Sequence, residues 1–250
     1  MTAQSSLSPR FRSRFAVLWL AGVTSVVLLL PYVVALQGSM LESLGIPLPA
    51  LLLASVAQSA VLLAVSVFVG LRAADAVGLR TPLTDAIVRR SGVRTAFTRL
   101  GPLSAAAIGA AAALAILVLE VVVFRPLIPE FTAAVAGVAP SRLHGLLASF
   151  YGGIGEEIMT RLFLVSVIAW ILRGRAIWLA ILIAALLFAV GHLPAAAGIS
   201  PLTPALVART VVLNSLAGIA FGWLYWRRGL EAGMVAHFSA DIVLHAIVYL

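Results

Sequence analysis

Ser149-Phe150-Tyr151-Gly152-Gly153-Ile154-Gly155-Glu156-Glu157-Ile158-Met159-Thr160-Arg161 sets two adjacent carboxylates and an arginine inside a run otherwise apolar enough to lie in a bilayer. One ionisable side chain at the centre of a membrane helix costs about 2.5–3.5 kcal/mol on insertion scales, so an unpartnered Glu-Glu-Arg group opposes the insertion of its own helix. Such a group marks an intramembrane functional site. Glu157 and Arg161 stand one helical turn apart and can pair with each other, which by itself does no more than lock helices together. Glu156 cannot share their face, because neighbours on a helix point about 100° apart. It is the residue of the stretch that a structural role leaves unexplained.

The rest of the chain agrees with a membrane setting. Of its 250 residues, 62% are hydrophobic and 10% charged, and the mean hydropathy is +1.13. A soluble domain does not reach these values, and an all-α polytopic transmembrane bundle does. The net charge of +8 is due to arginine alone, since the chain has no lysine. The arginines fall between apolar runs and not on one soluble face. That pattern argues against a nucleic-acid partner and for topology determinants in contact with anionic lipid. The absence of cysteine excludes disulfides, thiolate metal sites and a cysteine nucleophile.

Seven spans are expected: Phe15 to about Leu36, Pro49 to Leu71, Pro102 to Phe124, Leu143 to Leu172, Ala176 to Leu193, Ala205 to Trp226, and Leu230 to Leu250. The first follows Arg10, Arg12 and Arg14 and exceeds the roughly 7–15 apolar residues of a signal peptide, so it is expected to be retained. Between the second and third lie Arg72, Arg80, Arg89, Arg90, Arg94 and Arg99 against Asp75 and Asp85, which marks a cytoplasmic loop. Within it, Pro82 to Phe97 is a candidate interfacial amphipathic helix. Arg173, Arg175, Arg227 and Arg228 fall on the same side if each span crosses once. The N-terminus is then cytoplasmic, and the expected location is the bacterial plasma membrane. The fourth span exceeds the ~20 residues that a crossing needs, so a tilt, an extended end or a break at Gly152-Gly153 is expected. Gly109 in the alanine-rich third span favours close helix packing, and Glu120 near its end reads as interfacial. No repeat or linker divides the bundle.

Further polar residues fall inside the late spans. His192 ends the fifth, in Phe188-Ala189-Val190-Gly191-His192; His237 and Asp241 share one face of the seventh, one turn apart, with His245 a turn beyond. Arg209 and Asn214 in the sixth read as helix-to-helix contacts. Glutamate, two histidines and an aspartate on three apolar helices, with no cysteine and no serine–histidine pattern, match activation of a water better than covalent catalysis. A carboxylate serves as general base, and the histidines hold the water and stabilise the oxyanion of a peptide carbonyl. The same residues, Glu156, His192, His237 and Asp241, could instead hold zinc with an open position, although the compact His-Glu-x-x-His signature is absent. The cofactor is left between none and zinc.

Glu156-Glu157-x-x-x-Arg161, Phe188-x-x-x-His192 and His237-x-x-x-Asp241, in that order on successive apolar helices, resemble the three motifs of the CPBP family of CAAX prenyl proteases and bacteriocin-processing or immunity proteins, also called Abi. The resemblance covers about residues 145–245. It implies an intramembrane endopeptidase with a four-helix catalytic core in residues 141–250, preceded by N-terminal spans and a basic loop in residues 1–140. By position it makes Glu156 the catalytic base, His192 and His237 the water-orienting or oxyanion residues, and Asp241 their polar partner. Glu157, Arg161 and Phe188 are supporting residues. The partners it implies are the bilayer and a protein or peptide substrate in or at the membrane. The last motif position, Asp241, is often Asn in the prenyl-protease branch.

Two other classes share some of these features. Buried Glu, His, Asp and Arg also form proton relays in transporters, which usually show internal repeats and paired broken helices that are not seen here. A catalytically silent immunity or binding protein is the third reading. Depth adds a geometric demand. Glu156 and His192 each lie about 25 Å of helix rise from Arg173 and Arg175, whereas His237 lies only about 14 Å beyond Arg228. One shared site therefore requires the seventh helix to begin inside the membrane.

Overall fold

In lipid the backbone has no water to bond, so long apolar runs close their hydrogen bonds within helices. The computed structural model describes residues 8–43, 45–136 and 141–248, and among these no strand occurs. The end of the proline-rich connection with the expected 140/141 boundary, and the last two positions of the expected seventh span, lie outside the described residues. Helices α1 (Pro9–Ser43) and α2 (Leu48–Val77) form an antiparallel pair. Two short helices follow, α3 (Pro82–Val88) and α4 (Val93–Leu100). Helix α5 (Pro102–Leu119) runs on through a π-wound turn, Glu120–Phe124, and a tight turn, Arg125–Leu127, to α6 (Pro129–Ala136).

The motif lies on one continuous rod. It starts as α7 (Arg142–Phe150), capped by Ser141 through the backbone N–H of His144, and continues π-wound over Tyr151–Glu156 and Ile158–Val165 before α8 (Ser166–Ile171) closes it. Helices α9 (Ile177–Gly191), α10 (Leu193–Ala197), α11 (Pro204–Arg228) and α12 (Leu230–Asp241) complete the bundle, with α12 extended by a π-wound segment, Ile242–Val248. The motif helix sits in the middle, packed by α1 and α2 on one side and by α9 and α12 on the others. Gly109 performs the close packing expected of it: a Cβ there would run into the backbone of Ala236, so α5 lies directly against α12.

Among the described residues, six helices are long and apolar enough to cross a membrane: Pro9–Gly38, Leu48–Val77, Val93–Leu127, Ile177–Ala197, Pro204–Arg228 and Leu230–Ile247. The motif helix is not among them, because Glu156, Glu157 and Arg161 lower its apolarity, so the expected count of seven is not confirmed. Three other expectations change. Gly152-Gly153 does not break the rod; the residues are absorbed in the π winding, which is common where a helix carries function. Pro82 to Phe97 is not one helix but two, divided at Arg90 and Gly92, both with positive φ. Glu120, read as interfacial, is a helix-to-helix contact: it is 3% exposed, and its carboxylate takes the Arg209 guanidinium at 2.8 Å, tying the end of α5 to α11.

The arginine-rich connections gather at one end. Arg14 at the start of α1 pairs with Asp75 and Asp85 at 3.0 Å each and donates to the Thr81 hydroxyl. The backbone N–H of Leu230 donates to the Arg80 carbonyl, and Glu231 accepts from the backbone N–H and the hydroxyl of Thr84, both at 2.8 Å. The start of α12 is thus held against α3. His237 lies only two turns up α12 whereas His192 lies four turns up α9, so α12 begins on the order of 10 Å deeper in the bundle than α9.

Candidate active site

Three helices bring the expected residues together. Glu156 comes from the π-wound part of the motif helix, His192 from the end of α9, and His237 and Asp241 from α12. One Glu156 oxygen lies 3.8 Å from His192 Nε2, and the other lies 3.7 Å from His237 Nε2. His237 Nε2 is also 3.6 Å from Asp241 Oδ1. These gaps exceed a direct hydrogen bond and suit a single water touching the flanking atoms at once.

The far side of each imidazole decides what its near side offers. His192 Nδ1 stands 2.8 Å from the Phe188 carbonyl, one turn back on α9. A carbonyl only accepts, so Nδ1 carries the proton and the neutral ring presents a bare Nε2 to Glu156. His237 Nδ1 stands 2.8 Å from Glu157 Oε1, a carboxylate, with the same result. Both rings are therefore set by partners outside the site so that a lone pair faces in.

Beneath the site lies the ion pair read from the spacing of Glu157 and Arg161. The guanidinium is 2.9 Å from Glu157 Oε1, with the two side chains 2% and 0% exposed. Arg161 also donates to the Thr160 hydroxyl and to the Gly218 carbonyl on α11, and lies over the rings of Phe188 and Phe221 at 5.1 and 5.4 Å. Glu157 thus bridges a buried cation and the outer nitrogen of His237. Phe188, a supporting residue by motif, is a wall common to His192, His237 and Arg161.

Three contributors lay outside the sequence reading. Phe221 on α11 stacks on His237 at 4.7 Å; nothing in its local sequence distinguishes it from other core aromatics. Gly152 faces Asp241 and His237, and a Cβ there would run into the Asp241 carboxylate and come within 3.2 Å of His237 Nε2. Its place one turn before Glu156 is a signal that spacing could have supplied. Gly233 leaves room for Glu157, whose Oε2 would be 2.8 Å from an added Cβ. Of the residues read as bland, Arg209 holds Glu120, Asn214 bonds to its own helix at the Thr210 carbonyl, and His245 packs its ring on Tyr32. Among the described residues, no group of three or more His, Asp or Glu side chains is set to hold a metal ion.

Residues 138–243 match a family model described as type II CAAX prenyl endopeptidase Rce1-like. No curated protein and no solved structure matches the chain. The matched segment runs from just before α7 to the end of α12 and contains every residue placed around Glu156. Over this segment the chain is similar to the type II CAAX prenyl endopeptidases of the Rce1-like model.

Proposed function

We propose that the protein is an intramembrane endopeptidase in which Glu156 activates the hydrolytic water. The observation that supports this most strongly is the pair of bare Nε2 atoms, from His192 and His237, facing the two oxygens of one carboxylate at 3.8 and 3.7 Å. A water among these groups meets only acceptors. Its O–H bonds point to Glu156 and an imidazole, which leaves an oxygen lone pair free for a carbonyl carbon.

The chemistry follows in two steps. The water oxygen bonds to the carbonyl carbon, the π pair moves to the carbonyl oxygen, and Glu156 takes the proton. The tetrahedral centre then collapses, the C–N bond breaks, and the amine leaves with the proton from Glu156. His237, its Nδ1–H held by Glu157, presents its bare Nε2 to the water. His192 orients the water with it. Glu157 and Arg161 are positioning residues, acting through His237 and the motif helix. No step is routed through a metal.

The substrate we infer is a protein or peptide held in or at the membrane. An apolar groove of about 560 Å³ lies between α1, α2 and α7, lined by Val27, Leu30, Pro31, Val34, Leu52 and His144 among others. Tyr32, next to Pro31 in the chain, packs its ring on His245, one turn beyond Asp241. With the N-terminus cytoplasmic in a bacterial plasma membrane, Glu156 stands in the outer half of the bilayer, which suits an exported or membrane-bound substrate. The test is incubation of the purified protein and a Glu156→Gln variant with a library of membrane peptides, prenylated and unprenylated, read by mass spectrometry. Cleavage that depends on Glu156 supports the reading; equal products from both proteins oppose it.

A further inference from the structure

The segment between α2 and α5 contributes no residue to the site and lies outside the matched span. It is nevertheless built for a particular surface. Its two ends are tied to membrane helices, so α3 and α4 cannot leave the face of the bilayer. Arg89, Arg90, Arg94 and Arg99 are all exposed on it, and its single acid, Asp85, is occupied by Arg14. Ile87, Val93 and Phe97 are exposed by 44%, 41% and 47%, interleaved with those arginines. Apolar side chains among arginines, held at the level of the headgroups, are the composition of an element that beds into an anionic interface. A soluble polyanion would use the charges and leave the apolar residues in water.

The same segment grips the catalytic helix. Thr84 on α3 donates twice to Glu231, Arg80 accepts from Leu230, and Gly229, at φ 105°, is packed so tightly on Pro82 that a Cβ would collide with its ring. These contacts set where α12 starts, and α12 carries His237 and Asp241. We propose that α3 and α4 form a docking element for anionic lipid headgroups, and that its seating on the bilayer fixes the start of α12.

Hydrogen exchange tests this on the full chain in nanodiscs of phosphatidylcholine, with and without phosphatidylglycerol. An arginine near an anionic surface is worth roughly fivefold in partition, so several together are expected to slow exchange at residues 87–98 at least about tenfold when phosphatidylglycerol is present. Residues 229–233 are expected to slow with them. High salt should remove the gain. The variant Arg89→Gln/Arg90→Gln/Arg94→Gln should match the wild type in phosphatidylcholine and lose the response, and the corresponding lysine variant should keep it. Equal protection of the wild type in both lipids, a response that salt leaves intact, or a glutamine variant that responds fully would overturn the proposal. Slowing at 87–98 without slowing at 229–233 would overturn the link to α12. Because the wild-type lipid and salt arms stand alone, a glutamine variant that unfolds in phosphatidylcholine leaves the decision to them.

Discussion

Arg161→Ala removes a cation from a place where nothing can replace it. The Arg161 and Glu157 side chains are 2% and 0% exposed and 2.9 Å apart, so truncation leaves a carboxylate with no route to water. Breaking one side of a buried pair typically costs about 3–5 kcal/mol. His237 Nδ1 still donates to Glu157 Oε1, which moderates the loss, while Oε2 has no hydrogen-bond partner among the described residues and the vacated space adds a cavity cost. At about 2–4 °C per kcal/mol for a chain of this size, the melting temperature is expected to fall by about 6–20 °C. Glu157→Gln should cost less, because Arg161 keeps the Gly218 carbonyl, the Thr160 hydroxyl and two aromatic faces. Tryptophan fluorescence of the purified variants during heating reads both. An Arg161→Ala protein that melts with the wild type, or a Glu157→Gln protein that melts earlier than Arg161→Ala, refutes the view that this pair is the structural floor of the site.

Gly152→Ala places a methyl group against the Asp241 carboxylate, a movable side-chain end, so stability should fall by only about 1 kcal/mol while hydrolysis per folded molecule drops at least about tenfold; melting and turnover measured together check it. Glu120→Gln breaks a pair remote from Glu156, and its effect should be the reverse, about 1.5–3 kcal/mol of stability with unaltered turnover of the folded fraction. Phe221→Leu removes the ring stacked on His237 and beside Arg161, and should lower both stability and turnover, which separates it from either of those variants.

The helical class and the central stretch were legible because both rest on short-range rules. Apolar length sets the helices, and a turn of spacing sets the Glu157–Arg161 and His237–Asp241 pairs. The membership of Glu156, His192 and His237 in one place rested on the order of three motifs, and the structure brings them within 3.8 Å. What could not be read depends on packing between distant helices. Glu120 looks like a residue at the end of a span until α11 is placed beside it with Arg209. Phe221 has no signature because its partner ring is sixteen positions away on another helix. The π winding is invisible in composition, and so a long run with two adjacent glycines suggested a break. The grip of Thr84 on Glu231 joins residues 147 positions apart, beyond the reach of any local pattern.

The central claim is that Glu156 is the base that makes this bundle a peptidase. Its side chain is 19% exposed and faces imidazoles and not the buried arginine, so Glu156→Gln is expected to fold and melt as the wild type does. The decisive measurement is the rate of release of a C-terminal fragment from a membrane-held peptide by the two proteins, reconstituted side per side at matched melting temperature. The expected result is cleavage by the wild type and a loss of at least about 100-fold in the variant. Equal rates, or no cleavage by the wild type together with Glu156-dependent proton flux across the same vesicles, would contradict it.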